Sequence, residues 1–124
     1  MPSRVIRNLH MSKYLTNEIF KKTVNTRFWL VDPSLERYPL DLVECVDGYL
    51  TPRQEQFSLR FRGDPGQVFP QRIYPMEHDS IGDFELFLVP IARDDSGTYY
   101  EAVFNRLVEV SQTKTELQYQ QQAP

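Results

Sequence analysis

Histidine and carboxylate side chains lie close together at one point of the chain, in the run Glu77-His78-Asp79, with Asp83 and Glu85 shortly after it. Imidazole and carboxylate groups are common ligands of divalent metal ions. Such ligands must converge from one face, and the only other histidine, His10, lies far away near the N-terminus. The run therefore predicts a turn with solvated charges, and we expect neither a metal ion nor a cofactor.

The single cysteine, Cys45, is a second candidate for chemistry, because a thiolate is a nucleophile. It has no cysteine-centred motif around it, and both imidazoles, those of His10 and His78, are distant in sequence. The sequence thus predicts a structural thiol. One cysteine also rules out a disulfide within the chain, which favours a reducing compartment.

Two further features of the sequence bear on metal binding and catalysis. The run Asp94-Asp95-Ser96-Gly97 resembles the beginning of a calcium loop, but the later ligands of that loop are missing. It predicts a hairpin tip, in which Gly97 supplies a positive φ. Several serines lack the Gly-x-Ser-x-Gly context of a nucleophile elbow, namely Ser34, Ser58, Ser80 and Ser96. We expect a non-enzymatic protein with no catalytic residue.

Composition limits the choice of partners. The 124 residues carry a net charge of -3, so the chain has no general attraction to nucleic acid or to anionic lipid. The N-terminus lacks the apolar core of a secretory signal, and no apolar run is long enough to span a membrane. We expect cytoplasmic synthesis, and neither nucleic acid nor membrane as a partner.

The elements that position these residues follow from hydrophobic periodicity. Residues 56–62 alternate, with Phe57, Leu59 and Phe61 on one face and polar residues on the other, which is typical of a half-buried strand. Thr16 as an N-cap and two lysines at positions 21 and 22 predict one short helix. Further strands are expected at 26–31, at 40–50 with a turn or bulge at Asp47-Gly48, and at 71–78, 84–91 and 98–105.

Without any strand–helix–strand alternation, these elements predict a mainly β fold. We expect a small antiparallel barrel or sandwich of six to seven strands with one short N-terminal helix. The predicted division is an N-terminal arm (1–12), a single β domain (13–108) and a Gln-rich C-terminal tail (109–124). Within strand 71–78, Ile73 is expected to face inward, with Tyr74 as a second inward candidate.

Strand 84–91 is apolar on both faces, which is unusual for a strand with only one covered face. Phe84, Leu86 and Leu88 share one face. The other face carries Phe87, Val89 and Ile91. This second face is covered either by the arms and the helix of the same chain or by another protein.

Arginines on neighbouring strands leave a similar choice. They either meet an acidic partner or pair across the sheet with Glu55, Glu77 and Glu85, and cross-strand pairing is the favoured interpretation. The arginines concerned are Arg53, Arg60, Arg62 and Arg72.

The sequence resembles a small bacterial domain family of unknown function. Its opening Leu-Thr-x-x-x-Phe pattern matches Leu15-Thr-Asn-Glu-Ile-Phe20, and its closing pattern matches Tyr100-Glu-Ala-Val-Phe-Asn105. Between them, residues 57–63 and 85–91 also match. The family assigns no catalytic residues, but its members are often encoded near proteins similar to phage tail-collar proteins, which implies a role in particle structure or assembly.

We therefore expect a structural or assembly subunit of a phage or phage-tail-like particle that binds other protein subunits in a homo- or hetero-oligomer. The expected partner-binding residues lie on the second face of strand 84–91 and in the arms, at Phe87, Val89, Ile91, Tyr119, Arg4 and Arg7. The alternative is a β module for a small ligand or glycan, with Trp29, Tyr38, Tyr49 and Tyr99 around a cleft.

Overall fold

The computed structural model describes residues 15–50 and 54–107. Within them lie one helix and six strands, which are α1 (Asn17–Lys22), β1 (Arg27–Val31), β2 (Arg37–Leu50), β3 (Gln54–Gly63), β4 (Arg72–His78), β5 (Gly82–Asp94) and β6 (Gly97–Leu107). All paired strands are antiparallel, and their order, β1-β2-β3-β6-β5-β4, closes into a ring. The predicted mainly β fold with one short helix is confirmed.

The ring consists of two three-stranded meanders, β1–β3 and β4–β6. A ten-pair ladder joins β3 to β6, from Gln54↔Leu107 to Gly63↔Thr98. On the other side, β1 and β4 pair at Trp29↔Glu77 and Leu30↔Met76. Because side chains alternate along each strand, every second side chain points into a common interior.

The interior is apolar, as the alternation in β3 predicts. Phe57, Leu59 and Phe61 are buried, whereas Arg60 and Arg62 are exposed. Leu86 and Leu88 of β5 and Ala102 of β6 contribute to the same core. A filled core of this kind holds the outer faces of the strands in fixed positions.

In β4 the expectation for Ile73 is wrong, because its side chain is exposed, while Tyr74 is buried. The strand alternates strictly, and Ile73 shares its face with Glu77, which lies on the outside of the ring. Tyr74, Met76 and His78 occupy the inner face. The place of a residue in the strand's alternation, rather than its own hydrophobicity, decides which face of the sheet its side chain occupies.

Helix α1 closes one end of the ring. The Thr16 hydroxyl accepts a hydrogen bond from the backbone N–H of Ile19 at 3.3 Å, so the predicted N-cap is present. Phe20 is fully buried, and its ring lies 5.6–6.4 Å from four aromatic rings on four strands, those of Phe28, Phe57, Phe84 and Phe104. Phe20 is therefore the buried anchor of the helix, and the side chains of Asn17 and Lys21 also contact Asp47 of β2.

The segment between β3 and β4 crosses the opposite end. The Tyr100 hydroxyl accepts a hydrogen bond from the backbone N–H of Phe69 at 2.9 Å, and the Tyr74 hydroxyl donates one to the Pro70 carbonyl at 2.6 Å. The Phe69 ring packs against Tyr38 with the centroids 5.0 Å apart. Both ends of the interior are thus covered by aromatic side chains.

Two sequence predictions concern the local backbone, at Asp47-Gly48 and at Gly97. Of the turn or bulge expected at Asp47-Gly48, the structure shows a bulge, as a shift of register between Asp47 and Leu50. At the β5–β6 turn the expectation of a positive φ for Gly97 is wrong, since Gly82 is the glycine with a positive φ in the described part of the chain. Gly97 is instead required for close approach, because a Cβ atom there would lie 2.6 Å from the Gly63 carbonyl oxygen.

Candidate functional site

The outer side of β4 and β5 carries an apolar surface, which we call the β5 face and define as Ile73, Phe87, Val89 and Ile91. Ile73 and Phe87 are register partners on adjacent strands, and they are 60% and 49% exposed. Ile91 is 41% exposed, and Val89 is half-buried between them in sequence. The sequence-based assignment of both apolar sides of strand 84–91 agrees with this geometry, because Phe84, Leu86 and Leu88 are buried.

A β-bulge extends the β5 face. The β5–β6 register shifts between Pro90 and Ala92, so Ile91 is the extra residue on β5. The bulge leaves Ile91 exposed, on the same strand as Phe87 and Val89. Isolated exposed apolar residues are ordinary, but neighbouring ones on adjacent strands are typical of an interaction surface.

Of the aromatic residues of the ligand-binding alternative, the three whose side chains the structure describes do not share a cleft. Trp29 lies under the Arg37 guanidinium at 4.7 Å, on β1. Tyr38 packs on Phe69, and the Tyr99 hydroxyl lies 3.4 Å from an Asp94 carboxylate oxygen on the far side of the ring. The side chain of Tyr49 lies outside the described residues.

His78 is buried at the α1 end of the ring and is held by hydrogen bonds on both nitrogens. Its Nδ1 accepts from the backbone N–H groups of Ser80 and Ile81, at 3.1 and 3.3 Å. Its Nε2 lies 2.8 Å from the Thr26 hydroxyl, which itself donates to the Thr23 carbonyl. Nε2 must therefore be the donor, which fixes the neutral tautomer. Burial lowers the pKa of His78, which favours the neutral form of the imidazole.

The remaining candidates for chemistry are Cys45 and the Asp94 turn. Cys45 is half-buried, and burial raises the pKa of its thiol, which lowers its reactivity. The Asp94 carboxylate accepts hydrogen bonds from the backbone N–H groups of Ser96 and Gly97, as expected of a hairpin tip. Within residues 15–50 and 54–107, no group of three or more His, Cys, Asp or Glu side chains is arranged to hold a metal ion.

Arg60 and Arg62 pair across the sheet, but with other acids than those expected. Arg60 lies 3.6 Å from Glu44, and Arg62 lies 3.8 Å from Asp41. Glu77 pairs with Arg37 at 2.7 Å. The guanidinium of Arg72 lies over the Tyr74 ring at 5.7 Å. Arg53 is outside the described residues, as are three of the expected partner-binding residues, Arg4, Arg7 and Tyr119.

The sequence did not indicate that the β5 face extends onto β4. Ile73 belongs to the β5 face, and the signal that identifies it is its parity with Glu77 in β4. Val103 on β6 and Val46 on β2 are exposed as well, on other strands of the ring. Within the described residues, no helix has the length and hydropathy that a membrane span requires.

Fold and surface together define a small, mainly β domain with a filled interior and an apolar outer face. Residues 15–104 match the family described as Domain of unknown function (DUF6916), so the chain belongs to that family. The resemblance drawn from the opening and closing motifs is therefore confirmed at the level of the family. A search of curated proteins and a search of solved structures found no match to the chain.

Proposed function

We propose that this protein is a non-enzymatic structural or assembly subunit that binds another protein through the β5 face. The supporting observation is the exposed register pair Ile73–Phe87, extended along β5 by Val89 and Ile91. Burying such side chains against a partner removes apolar surface from water, which is the main driving force of association. The family resemblance supports a phage or phage-tail-like particle as the setting.

A matched pair of substitutions tests the role of the face. Phe87→Ser removes the central side chain, and Val46→Ser makes a similar change at a 45% exposed position on β2. Neither change opens the core, so both variants are expected to keep the free energy of unfolding within about 1 kcal/mol of the wild type. Cross-linking of the full chain, alone and in a lysate of its host, then reports protein contacts.

We expect Phe87→Ser to lose a cross-linked product that Val46→Ser retains, whether that product is a self-adduct or an adduct with another protein. A product that survives in both variants, or is lost equally in both, contradicts a specific interface at the β5 face. The control matters because a general loss of surface hydrophobicity would weaken non-specific association in both variants.

The terminal arms are proposed as additional contacts with neighbouring subunits. Residues 1–12 and 109–124 are polar and aperiodic, so their contribution is expected in the assembly and not in the folding of the domain. Trimming both segments should leave the melting temperature nearly unchanged and weaken association. A trimmed chain that unfolds far earlier but associates normally would contradict this role of Arg4, Arg7 and Tyr119.

A further inference from the structure

The charged residues beside the β5 face are of one sign. Outward side chains on β4, on β6 and on β5 as far as the bulge alternate with buried ones such as Tyr74, Leu86 and Ala102. In these described parts of the three strands, no lysine or arginine occupies an outward position. The charged residues at the outward positions are Glu77, Asp83, Glu85 and Glu101. The β5 face is therefore an apolar surface with an acidic border.

Two arginines of the same strands lie on the opposite face of the sheet. Arg72 is the register partner of buried Leu88. Arg93, beyond the bulge, is the register partner of buried Thr98. Because register partners share a face, both arginine side chains leave the backbone on the inner side of the ring. Neither arginine thus belongs to the outer surface that carries the β5 face.

Two carboxylates of the border lie directly beside the apolar residues. Glu85 is exposed and lies two positions from Phe87 along β5, a separation of about 7 Å. Glu101 is half-buried and is the register partner of Val89 on β6. In the part of the chain that the structure describes, neither carboxylate forms an ion pair or a hydrogen bond. Both therefore remain available to a cation on a partner.

The nearby cations of the ring are already engaged with other acids. Arg60 on β3 lies opposite Glu101 in the ladder, but its guanidinium is 3.6 Å from Glu44. Arg37 forms its ion pair with Glu77, at 2.7 Å. Two border acids thus have a partial or complete counter-charge nearby, whereas Glu85 has none on its own strand or on β4. The surface as a whole attracts cations and repels anions.

We propose that the partner segment on the β5 face is basic, with apolar side chains between lysines or arginines. This inference rests on the proposed function of the β5 face and names the chemistry of the partner. The apolar side chains cover Ile73 and Phe87, and the flanking cations lie against Glu85 and Glu101. Border charges of this kind speed association and exclude partners of like charge. Acidic protein segments and nucleic acid are therefore excluded from this face.

Two synthetic peptides serve as probes for the full chain. Both have the same centre of leucine and valine, and they carry either two lysines or two glutamates at each end. Fluorescence anisotropy of the labelled peptides measures their affinity at low and at high salt. The test variants are Glu85→Lys and Glu101→Lys, and the matched control is Asp95→Lys, which changes the net charge equally at an exposed position of the β5–β6 turn.

We expect the lysine peptide to bind the wild type and Asp95→Lys at least about tenfold more tightly than the glutamate peptide does at low salt. Glu85→Lys and Glu101→Lys should each weaken binding of the lysine peptide by about fivefold, and high salt should reduce the difference between the peptides. Phe87→Ser should weaken binding of both peptides, because it removes the apolar contact that they share.

No binding of either peptide, equal binding of both, or a preference for glutamate would overturn the basic-partner proposal. An equal loss in Asp95→Lys would also overturn it, because the attraction would then come from net charge and not from the border of the β5 face. The proposed function has a separate test, since loss of a cross-linked product in Phe87→Ser does not depend on the sign of the partner's charge. That loss would still support a protein interface if the peptides failed.

Discussion

Replacing Phe20 by alanine tests whether one side chain anchors α1 in the ring. Phe20 is fully buried and contacts aromatic rings of β1, β3, β5 and β6, with centroids 5.6–6.4 Å away. Phe→Ala changes in a core cost about 3–5 kcal/mol, because burial is lost and a cavity remains. Aromatic contacts each add about 0.5–1.5 kcal/mol, although such contributions are not additive.

We therefore expect Phe20→Ala to lower the free energy of unfolding by about 3–5 kcal/mol, a large part of the 5–15 kcal/mol that is usual for a domain. Chemical denaturation followed by tryptophan fluorescence measures this change through the single tryptophan, Trp29. Lys22→Ala, at an exposed position of the same helix, should stay within about 0.5 kcal/mol of the wild type.

The two variants separate loss of the anchor from loss of helix propensity. A Phe20→Ala variant that unfolds within about 1 kcal/mol of the wild type would show that α1 does not close the core. Equal losses in both variants would show that the helix itself, and not its buried ring, carries the effect. Either result would refute the packing described for this end of the ring.

Three further predictions follow from single contacts. Leu59→Ala should cost about 2–5 kcal/mol while Arg60→Ala stays within about 1 kcal/mol in denaturant titrations, and similar losses would mean that the β3 register is wrong. Gly97→Ala should cost about 1–3 kcal/mol because its Cβ would meet Arg62 Cγ at 2.5 Å, and a neutral effect would contradict this close approach. For His78, the folded pKa lies below the unfolded value near 6.5, so the unfolded state binds more protons and stability falls as the pH drops below that value. His78→Gln should flatten the slope of stability between about pH 7 and pH 5, and an unchanged slope would assign it to another group.

Local signals were sufficient for most of the fold. Alternation identified β3, and the Thr16 N-cap and the lysines at the end of α1 identified the helix. Turn residues bounded the strands, because aspartate and glycine stabilise turns by hydrogen bonding and conformational freedom. The sequence did not decide between a barrel and a sandwich. That choice depends on whether the ring closes, which requires the long-range pairing of β1 with β4.

The site was less predictable, for physical reasons that particular residues illustrate. The sequence placed Phe87 and Ile91 on the outer face because β5 is apolar on both faces. Ile73 was expected inside because it is hydrophobic, although its place in the alternation of β4 puts it outside. The role of Gly97 depends on the approach of β3, which no local pattern reveals. The charge pairs depend on register, so Arg60 lies against Glu44 and not against a residue closer in sequence.

A photo-cross-linking residue at position 87 reports whether the β5 face is a protein interface. The same residue at position 46, also on an exposed apolar site of the ring, provides the control. After irradiation of the full chain in its native cell, mass spectrometry identifies any adduct. We expect a protein adduct at position 87 that is absent at position 46, and a self-adduct if the partner is a second copy. No adduct at 87, or equal adducts at both positions, would contradict it.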